Sequence, residues 1–161
     1  MSNRYVEKLI QNYGEQGFFT GGTTNEEIME IERVLNTKLP ESYKWFVMNY
    51  GYGGISGRCI EGVAKSGRLT VVDETLQHRE YGLPQQFVVI ESCDEYVSCL
   101  DLSTIKNGDC KVVSWSQHDE DGIVPQTSSF YDYLLYVFYN EDGMDDDQLY
   151  KEWLRIFDEM K

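Results

Sequence analysis

The first fifty residues carry apolar side chains with the period of an α-helix. Apolar residues recur at intervals of three and four in three segments, each of which predicts a helix. These segments are residues 4–13, 24–36 and 40–50. The second opens on a capping box, because Thr24 is followed three residues later by Glu27. The third begins at Pro40 and ends at Gly51, residue types typical of helix starts and stops.

The predicted helix over 40–50 has a regular apolar face. Four large side chains at positions i, i+3, i+4 and i+7 share one side: Tyr43, Phe46, Val47 and Tyr50. We expect this face to be buried, since aromatic stripes at this spacing usually belong to a core rather than a catalytic site. After it, Gly51 is expected to be left-handed, and Gly53 and Gly54 to allow a sharp turn. Tyr52, beyond the helix end, is a candidate for contact with a partner.

After Gly54 the pattern changes from helical to strand-like. Runs rich in β-branched and aromatic residues, separated by turn formers, predict five strands with a helical turn between the second and third. The strands are residues 58–63, 68–73, 86–91, 96–102 and 111–116, and the helical turn is 74–81. The first two strands are expected to form a hairpin, and the short later connections favour an antiparallel meander.

Two further helices are predicted after the strands. Ser129 with Asp132 repeats the capping signature, and the apolar face that follows is Phe130, Tyr133, Leu134, Val137 and Phe138. Three aspartates at 145–147 mark the start of a last helix over about 144–160. The sequence therefore predicts one α+β domain over 1–161, with a mostly antiparallel twisted sheet of about five or six strands and helices packed at both ends.

Charge changes this picture more than the rest of the composition does. The chain has 28 acidic and 14 basic side chains, a formal net charge of −14. Nucleic acid and anionic membranes are disfavoured as partners, because both are bound through Lys and Arg. A basic protein partner is favoured, although an acidic pI also serves solubility alone. No apolar run is long enough to cross a bilayer, so we expect a cytoplasmic protein.

The sequence contains no motif for catalysis or cofactor binding. Four cysteines without a Cys-x-x-Cys pair are expected to be free thiols, with a disulfide between Cys93 and Cys99 as the minor alternative. The two histidines, His78 and His118, belong to no catalytic motif. The acidic loop after His118 lacks the ligand spacing of a calcium site, and no phosphate-binding glycine loop is present. We therefore predict no catalytic residues, no metal and no cofactor.

Acidic residues are concentrated between Glu91 and Asp121. This stretch contains eight carboxylates and only two lysines, and several of the carboxylates lie at predicted strand ends and turns. We expect them to converge beside aromatic residues on one edge of the sheet, where they would steer and anchor a basic partner. The alternative is a set of unrelated solvated turns. The candidate partner-binding residues are Tyr52, Tyr81, Glu91, Asp94, Glu95, Tyr96, Trp115, Asp119, Glu120 and Asp121.

The helix over 40–50 and its surroundings resemble the signature of the SUKH superfamily, which includes fungal cell-wall-synthesis regulators and bacterial immunity proteins. The residues that carry the resemblance are Leu39, Pro40, Tyr43, Phe46, Tyr50, Gly51, Gly53 and Gly54. The later runs 87–91, 96–102, 112–113 and 128–130 follow the order of that family's sheet and closing helix. The resemblance covers about residues 25–140, and the helix over 144–160 looks like an addition. Within the family, the sequence resembles antitoxins of the YobK type.

The resemblance implies an α+β fold without enzymatic activity and, in bacteria, a role as antidote to a toxin that is often a nuclease. The first hypothesis is therefore an immunity protein whose acidic surface binds a cognate basic toxin. The second is a general intracellular interaction module without a toxin partner, and a homodimer is compatible with either. The third is a small hydrolase, which would require a cleft containing a histidine or paired carboxylates.

Overall fold

Helices dominate the first half of the chain and strands the second in the computed structural model, which describes residues 3–13, 17–55, 57–93, 95–119, 122–139 and 155. The helices are α1 (Asn3–Tyr13), α2 (Asn25–Leu35), α3 (Glu41–Tyr50), α4 (Thr70–Arg79) and α5 (Phe130–Tyr139). The strands are β1 (Gly17–Phe19), β2 (Gly53–Ile55), β3 (Phe87–Ser92), β4 (Val97–Lys106), β5 (Asp109–Trp115) and β6 (Val124–Thr127). The predicted α+β class is confirmed.

The strands belong to two antiparallel sheets rather than one. The larger is a meander in which β3, β4, β5 and β6 lie side by side in sequence order. The smaller pairs β1 with β2. The meander predicted from the short connections is therefore confirmed, while the predicted single sheet of five or six strands is divided between these two units.

The predicted hairpin over 58–63 and 68–73 is wrong. Residues of this region make only isolated bridges, Gly53 with Ile60 and Val63 with Leu69, and the second predicted strand is the start of α4. The β-branched residues there gave a strand signal, but strand propensity largely reflects burial against neighbours, and a packed helix also provides such burial. Val71 is fully buried, and the Thr75 hydroxyl accepts a hydrogen bond from the Val89 N–H of β3 (3.0 Å).

The three short strands β1, β2 and β6 were not predicted. Gly53 and Gly54, expected to form a turn, belong to β2 instead. A Cβ on Gly53 would lie 1.9 Å from the Phe18 carbonyl oxygen, so the pairing of β1 with β2 requires glycine at this position. In β6, Pro125 pairs with Val113 of β5. Proline usually demotes a strand in sequence-based prediction, yet it is tolerated on an edge strand such as this one.

Helix α3 is the element predicted most fully. It begins at Glu41, one residue later than expected, and the Pro40 carbonyl accepts its first hydrogen bond from the Lys44 N–H (3.1 Å). Its last residue is Tyr50, and Gly51 caps it with a positive φ of 72°, as expected of a glycine stop. The ψ of −87° lies outside the left-handed helical region, so the predicted left-handed conformation is wrong. The three buried residues on its apolar face are Tyr43, Phe46 and Val47, while Tyr50 is half-buried.

The predicted capping box of α2 is confirmed, and at α5 the Ser129 half of the predicted cap is present. The Thr24 hydroxyl accepts from the Glu27 N–H (3.2 Å), and the Glu27 carboxylate accepts from the Thr24 N–H (3.1 Å). At α5 the Ser129 hydroxyl accepts from the Asp132 N–H (3.0 Å). A cap that the sequence did not indicate comes from Asp109, whose carboxylate accepts from the first N–H of α5, that of Phe130 (2.9 Å).

The larger sheet is covered on both faces. Its main-core face presents Val88, Ile90, Leu100 and Val112 to the helices. A smaller cluster on the other face contains Leu83, Phe87, Val89, Val97, Cys99, Val113 and Trp115. The alternation of β3 between the two clusters explains why the four successive residues from Phe87 to Ile90 are all buried.

Two predictions concern cysteines and the C-terminal segment. All four cysteines are free thiols, so the structure has no bond between Cys93 and Cys99. The predicted helix over about 144–160 lies outside the described residues except for Arg155, which is helical. Within the described residues, none of the helices has both the length and the apolar character to cross a membrane.

Replacing Phe46 tests the prediction that the apolar face of α3 belongs to the core. The fully buried Phe46 ring packs against Phe130, Phe138 and Tyr50 at centroid distances of 5.6–6.4 Å. Phe46→Ala is expected to lower the free energy of unfolding by about 3–5 kcal/mol, because it removes these contacts and leaves a cavity. Urea unfolding measures the change. Met48→Ala on the exposed side of the same helix is the matched control, and an equal loss in both variants would contradict the assignment.

Candidate functional site

The order of the meander brings two loops to the same end of the larger sheet. Alternate connections of an antiparallel meander lie at the same end, so the β3–β4 and β5–β6 loops are neighbours. The register agrees, because Val97 at the start of β4 pairs with Trp115 at the end of β5, and Ser114 pairs with Val124 at the start of β6. Tyr96 and Ser116 therefore leave the sheet side by side.

These two loops frame a cleft of about 680 Å³, which we call the loop cleft. It is lined by Glu95, Tyr96, Ser114, Ser116, His118, Asp119, Gly122 and Val124. A smaller recess of about 70 Å³ shares part of this lining and reaches His78 and Trp115. The loop cleft thus joins side chains from both loops and from two strands.

Three candidate residues from the sequence line the loop cleft, namely Glu95, Tyr96 and Asp119. The expected convergence of acidic and aromatic residues is thus present for these three. Trp115 is only 8% exposed and lines the recess, where its ring lies 6.4 Å from the ring of His78. Trp115 therefore forms part of the wall of the recess and is too buried to be an exposed contact for a partner.

Other candidates lie elsewhere. Tyr52 is half-buried after α3, and Tyr81 is 57% exposed after α4; neither is part of the cleft or recess lining. Glu91, expected on the acidic surface, is 4% exposed and therefore does not belong to that surface. Asp94, Glu120 and Asp121 lie outside the described residues.

Glu91 is buried because it is paired. Its carboxylate accepts two hydrogen bonds from the Arg58 guanidinium (2.6 and 2.7 Å) and one from the Tyr133 hydroxyl (2.5 Å). Burial and the nearby negative charge raise the pKa of Tyr133 well above its usual range, so the phenol stays a donor. This Glu91 network joins the segment before α4, the end of β3 and helix α5.

Local hydrogen bonds lie around the loop cleft. A hydrogen bond with the Cys93 thiol, together with burial, raises the pKa of Tyr96, which keeps its phenol neutral. The Cys93 N–H donates to the Tyr96 carbonyl (3.0 Å), and the Gly122 N–H donates to the Asp119 carbonyl (3.0 Å). A Cβ on Gly122 would lie 2.6 Å from that Asp119 oxygen, so this close approach requires glycine.

Sequence reasoning did not identify Ser114, Ser116, His118 and Val124 as cleft residues. The serines carry no charge or aromatic ring that would draw attention to them, and Val124 lies in a strand that was not predicted. The signal that would have found them is strand register, because residues that begin and end paired strands meet at one end of a sheet.

The loop cleft contains His118, and a histidine in a cleft is one of the two features that the hydrolase hypothesis accepts, so the hydrogen bonds of this residue bear on that hypothesis. His118 Nε2 accepts from the Gln117 side-chain amide (3.1 Å), and the Ser116 hydroxyl accepts from the backbone N–H of His118 (3.2 Å). These bonds pair neither His118 nor Ser116 as a base with its nucleophile.

Comparison with known proteins identifies the family to which the chain belongs. The SUKH_5 family model, described as SMI1-KNR4 cell-wall, matches residues 3–139. The chain belongs to the SUKH superfamily. The matched part of this SUKH protein includes α1 and β1, which precede the region of about 25–140 on which the resemblance rested.

A solved structure also resembles this SUKH protein. It is the crystal structure of a protein from Pseudomonas syringae pv. tomato, with a TM-score of 0.57 and 16% sequence identity. The similarity covers 77% of this chain and 89% of the other. At this level of identity the likeness concerns the fold.

The Glu91 network yields a stability prediction. Glu91→Gln is expected to lower the free energy of unfolding by about 3 kcal/mol, the lower end for breaking a buried ion pair, because Arg58 is partly exposed and solvent compensates some of its charge. Urea unfolding measures this loss. Glu30→Gln removes the matched ion pair with Arg33 on the exposed surface of α2 and should leave stability unchanged. Equal stability of Glu91→Gln and the unmodified protein would contradict the role of the network.

Glu61 yields a pH prediction. Burial is the main cause that raises the pKa of its carboxyl, so the folded state favours the protonated form. Its contribution to stability is therefore full below the unfolded-state pKa and is lost as pH rises through the folded-state pKa. Glu61→Gln should be more stable than the unmodified protein at pH 7, with the gain vanishing below about pH 4. Thermal unfolding across pH measures this gain in stability, with Glu26→Gln at an exposed position as the control. A gain that persists at low pH would show that it does not come from the raised pKa of Glu61.

Proposed function

We propose that this SUKH protein is a non-catalytic immunity protein that acts in the cytoplasm and binds a cognate basic toxin, of nuclease type, at the loop cleft. The single observation that carries the proposal is the convergence of Glu95, Tyr96 and Asp119 on that cleft. The family supports it in general terms, since SUKH proteins are generally non-catalytic immunity and regulatory proteins.

Charge favours a nuclease as the toxin. A nuclease needs a basic groove to hold phosphates, and an inhibitor of that groove needs the opposite charge. By sequence, the β3–β4 and β5–β6 loops contain five carboxylates and no Lys or Arg. A negative electrostatic potential at this end of the sheet would speed association with a basic surface and disfavour acidic partners.

Tyr96 supports the proposal because it provides an aromatic contact inside the charged rim. Tyr96 is 41% exposed at the loop cleft, and Val124, which lines the cleft from the other side of β5, is 56% exposed. Tyrosine is one of the residue types enriched at energetically dominant positions of interfaces. An exposed tyrosine in a concave, acidic setting is therefore suited to anchor a partner that charge has steered there.

A regulatory interaction module with another basic partner is the runner-up. It differs from an immunity protein in genetic context rather than in surface chemistry. A toxin gene beside the gene for this protein would support the immunity role, and its absence would favour the module.

The experiment is co-expression with the neighbouring polymorphic toxin domain, scored by growth rescue and co-purification. For the purified pair, the double variant Glu95→Gln with Asp119→Asn is expected to slow association by a factor of about 3 to 10 at low salt, with less effect at high salt. Stopped-flow kinetics measures the association rate.

The matched control removes two carboxylates from another face. Glu26→Gln with Glu30→Gln on α2 changes the net charge by the same amount but leaves the loop cleft intact. It should retain both rescue and association rate. Unchanged association in the cleft double variant, or equal slowing in the control, would overturn the proposed site.

A further inference from the structure

The lining of the loop cleft has a chemistry more specific than negative charge. Glu95 and Asp119 bring carboxylates from the two loops, and Tyr96 brings a partly exposed aromatic ring. Ser116 adds a hydroxyl, and Val124 adds an exposed apolar surface. A ligand that satisfies all of these must be cationic, rich in hydrogen-bond donors, able to stack on a ring, and attached to an apolar stem.

An arginine side chain has these properties together. Its planar guanidinium offers five N–H donors, pairs with carboxylates through two bonds at once, and stacks on aromatic faces. Its methylene stem covers apolar surface while the charge remains at the polar end. A lysine ammonium is a compact point charge that does not stack as a plane, and it is more strongly hydrated.

We propose that the loop cleft is a receptor for an arginine side chain of the protein partner, whose guanidinium stacks on Tyr96 and pairs with Glu95 and Asp119. This inference rests on the proposed function for the identity of the partner, although not for the chemistry of the cleft. A cleft of about 680 Å³ is large enough to hold the whole side chain.

The backbone at Tyr96 is fixed before any partner arrives. The Cys93 N–H donates to the Tyr96 carbonyl across the β3–β4 loop (3.0 Å), which reduces the entropy that this loop loses on binding. Because stacking uses the ring faces and not the phenol oxygen, removing the ring should weaken guanidinium binding more than removing the hydroxyl does.

The test uses N-acetyl-L-arginine amide as the probe and the full chain labelled with ¹⁵N. Titration followed by two-dimensional NMR should give saturable shifts confined to amides of residues 95–97, 114–119 and 122–124. The neutral isostere, N-acetyl-citrulline amide, should not saturate. N-acetyl-lysine amide should bind about fivefold more weakly, because it cannot stack or form paired bonds.

Variants assign the contacts. Glu95→Gln, Asp119→Asn and Tyr96→Leu are each expected to weaken arginine amide binding by about fivefold or more, since each removes a charge-assisted bond or the stacking surface. Tyr96→Phe keeps the ring and should bind within about twofold of the unmodified protein. Glu26→Gln on α2 is the charge control and should bind normally. Unchanged signals away from the cleft verify that each variant is folded.

The outcomes separate this inference from the proposed function. Three outcomes would overturn the arginine receptor: shifts that do not saturate, equal binding of the arginine and citrulline probes, or shifts outside the cleft. They would do so even if the protein rescues growth and co-purifies with the toxin. Selective, saturable binding of the arginine probe without any rescue would support the receptor and count against the immunity role.

Discussion

The arrangement around the loop cleft depends most on the hydrogen bonds of the buried Glu91 carboxylate. Its three hydrogen bonds come from Arg58 and Tyr133, which lie on separate elements of the chain. A buried carboxylate has lost its hydration, so its burial is tolerable only while these donors are in place. Glu91 ends the buried part of β3, directly before the loop that carries Glu95 and Tyr96. The network that stabilises the core thus also fixes where that loop leaves the sheet.

Asp109 performs a comparable task at the opposite end of the β4–β5 hairpin. One of its carboxylate oxygens accepts from the Ser42 hydroxyl (2.8 Å) and from the Phe130 N–H (2.9 Å). It therefore joins the starts of α3 and α5 to the sheet. In this acidic protein, two of the carboxylates that the sequence suggests are surface charge serve as internal connections between distant segments.

Periodicity predicted the elements whose side chains face one well-defined core. Helices α2, α3 and α5 and the order of the meander could be read from the sequence because their apolar spacing matches a single burial face. Helix α4 could not, since Val71 and its β-branched neighbours are equally compatible with a buried strand. Strand β2 could not either, because Gly53 and Gly54 allow close approach of the backbone to Phe18 and Arg58 and contribute no side chain to an apolar pattern.

The same reasoning explains what was missed at the candidate site. Glu95, Tyr96 and Asp119 were identified because charge and aromatic character are visible in the sequence. Glu91 was misplaced because a β-bulge between Val89 and Glu91 breaks the alternation of β3 and brings its carboxylate to Tyr133. No local sequence feature marks this bulge, and only the tertiary donors that Glu91 meets distinguish it from its exposed acidic neighbours.

The two outer strands of the larger sheet differ in a way that bears on how such proteins diversify. The backbone of β3 is occupied, since the Ile90 carbonyl accepts from the Glu61 N–H (2.7 Å) and the Val89 N–H donates to Thr75. On β6, Pro125 has no N–H to offer, which discourages an added strand. We therefore expect recognition near β6 to rely on side chains rather than on strand addition. Duplicated genes could exchange those side chains for new partners while the scaffold beneath them stays the same.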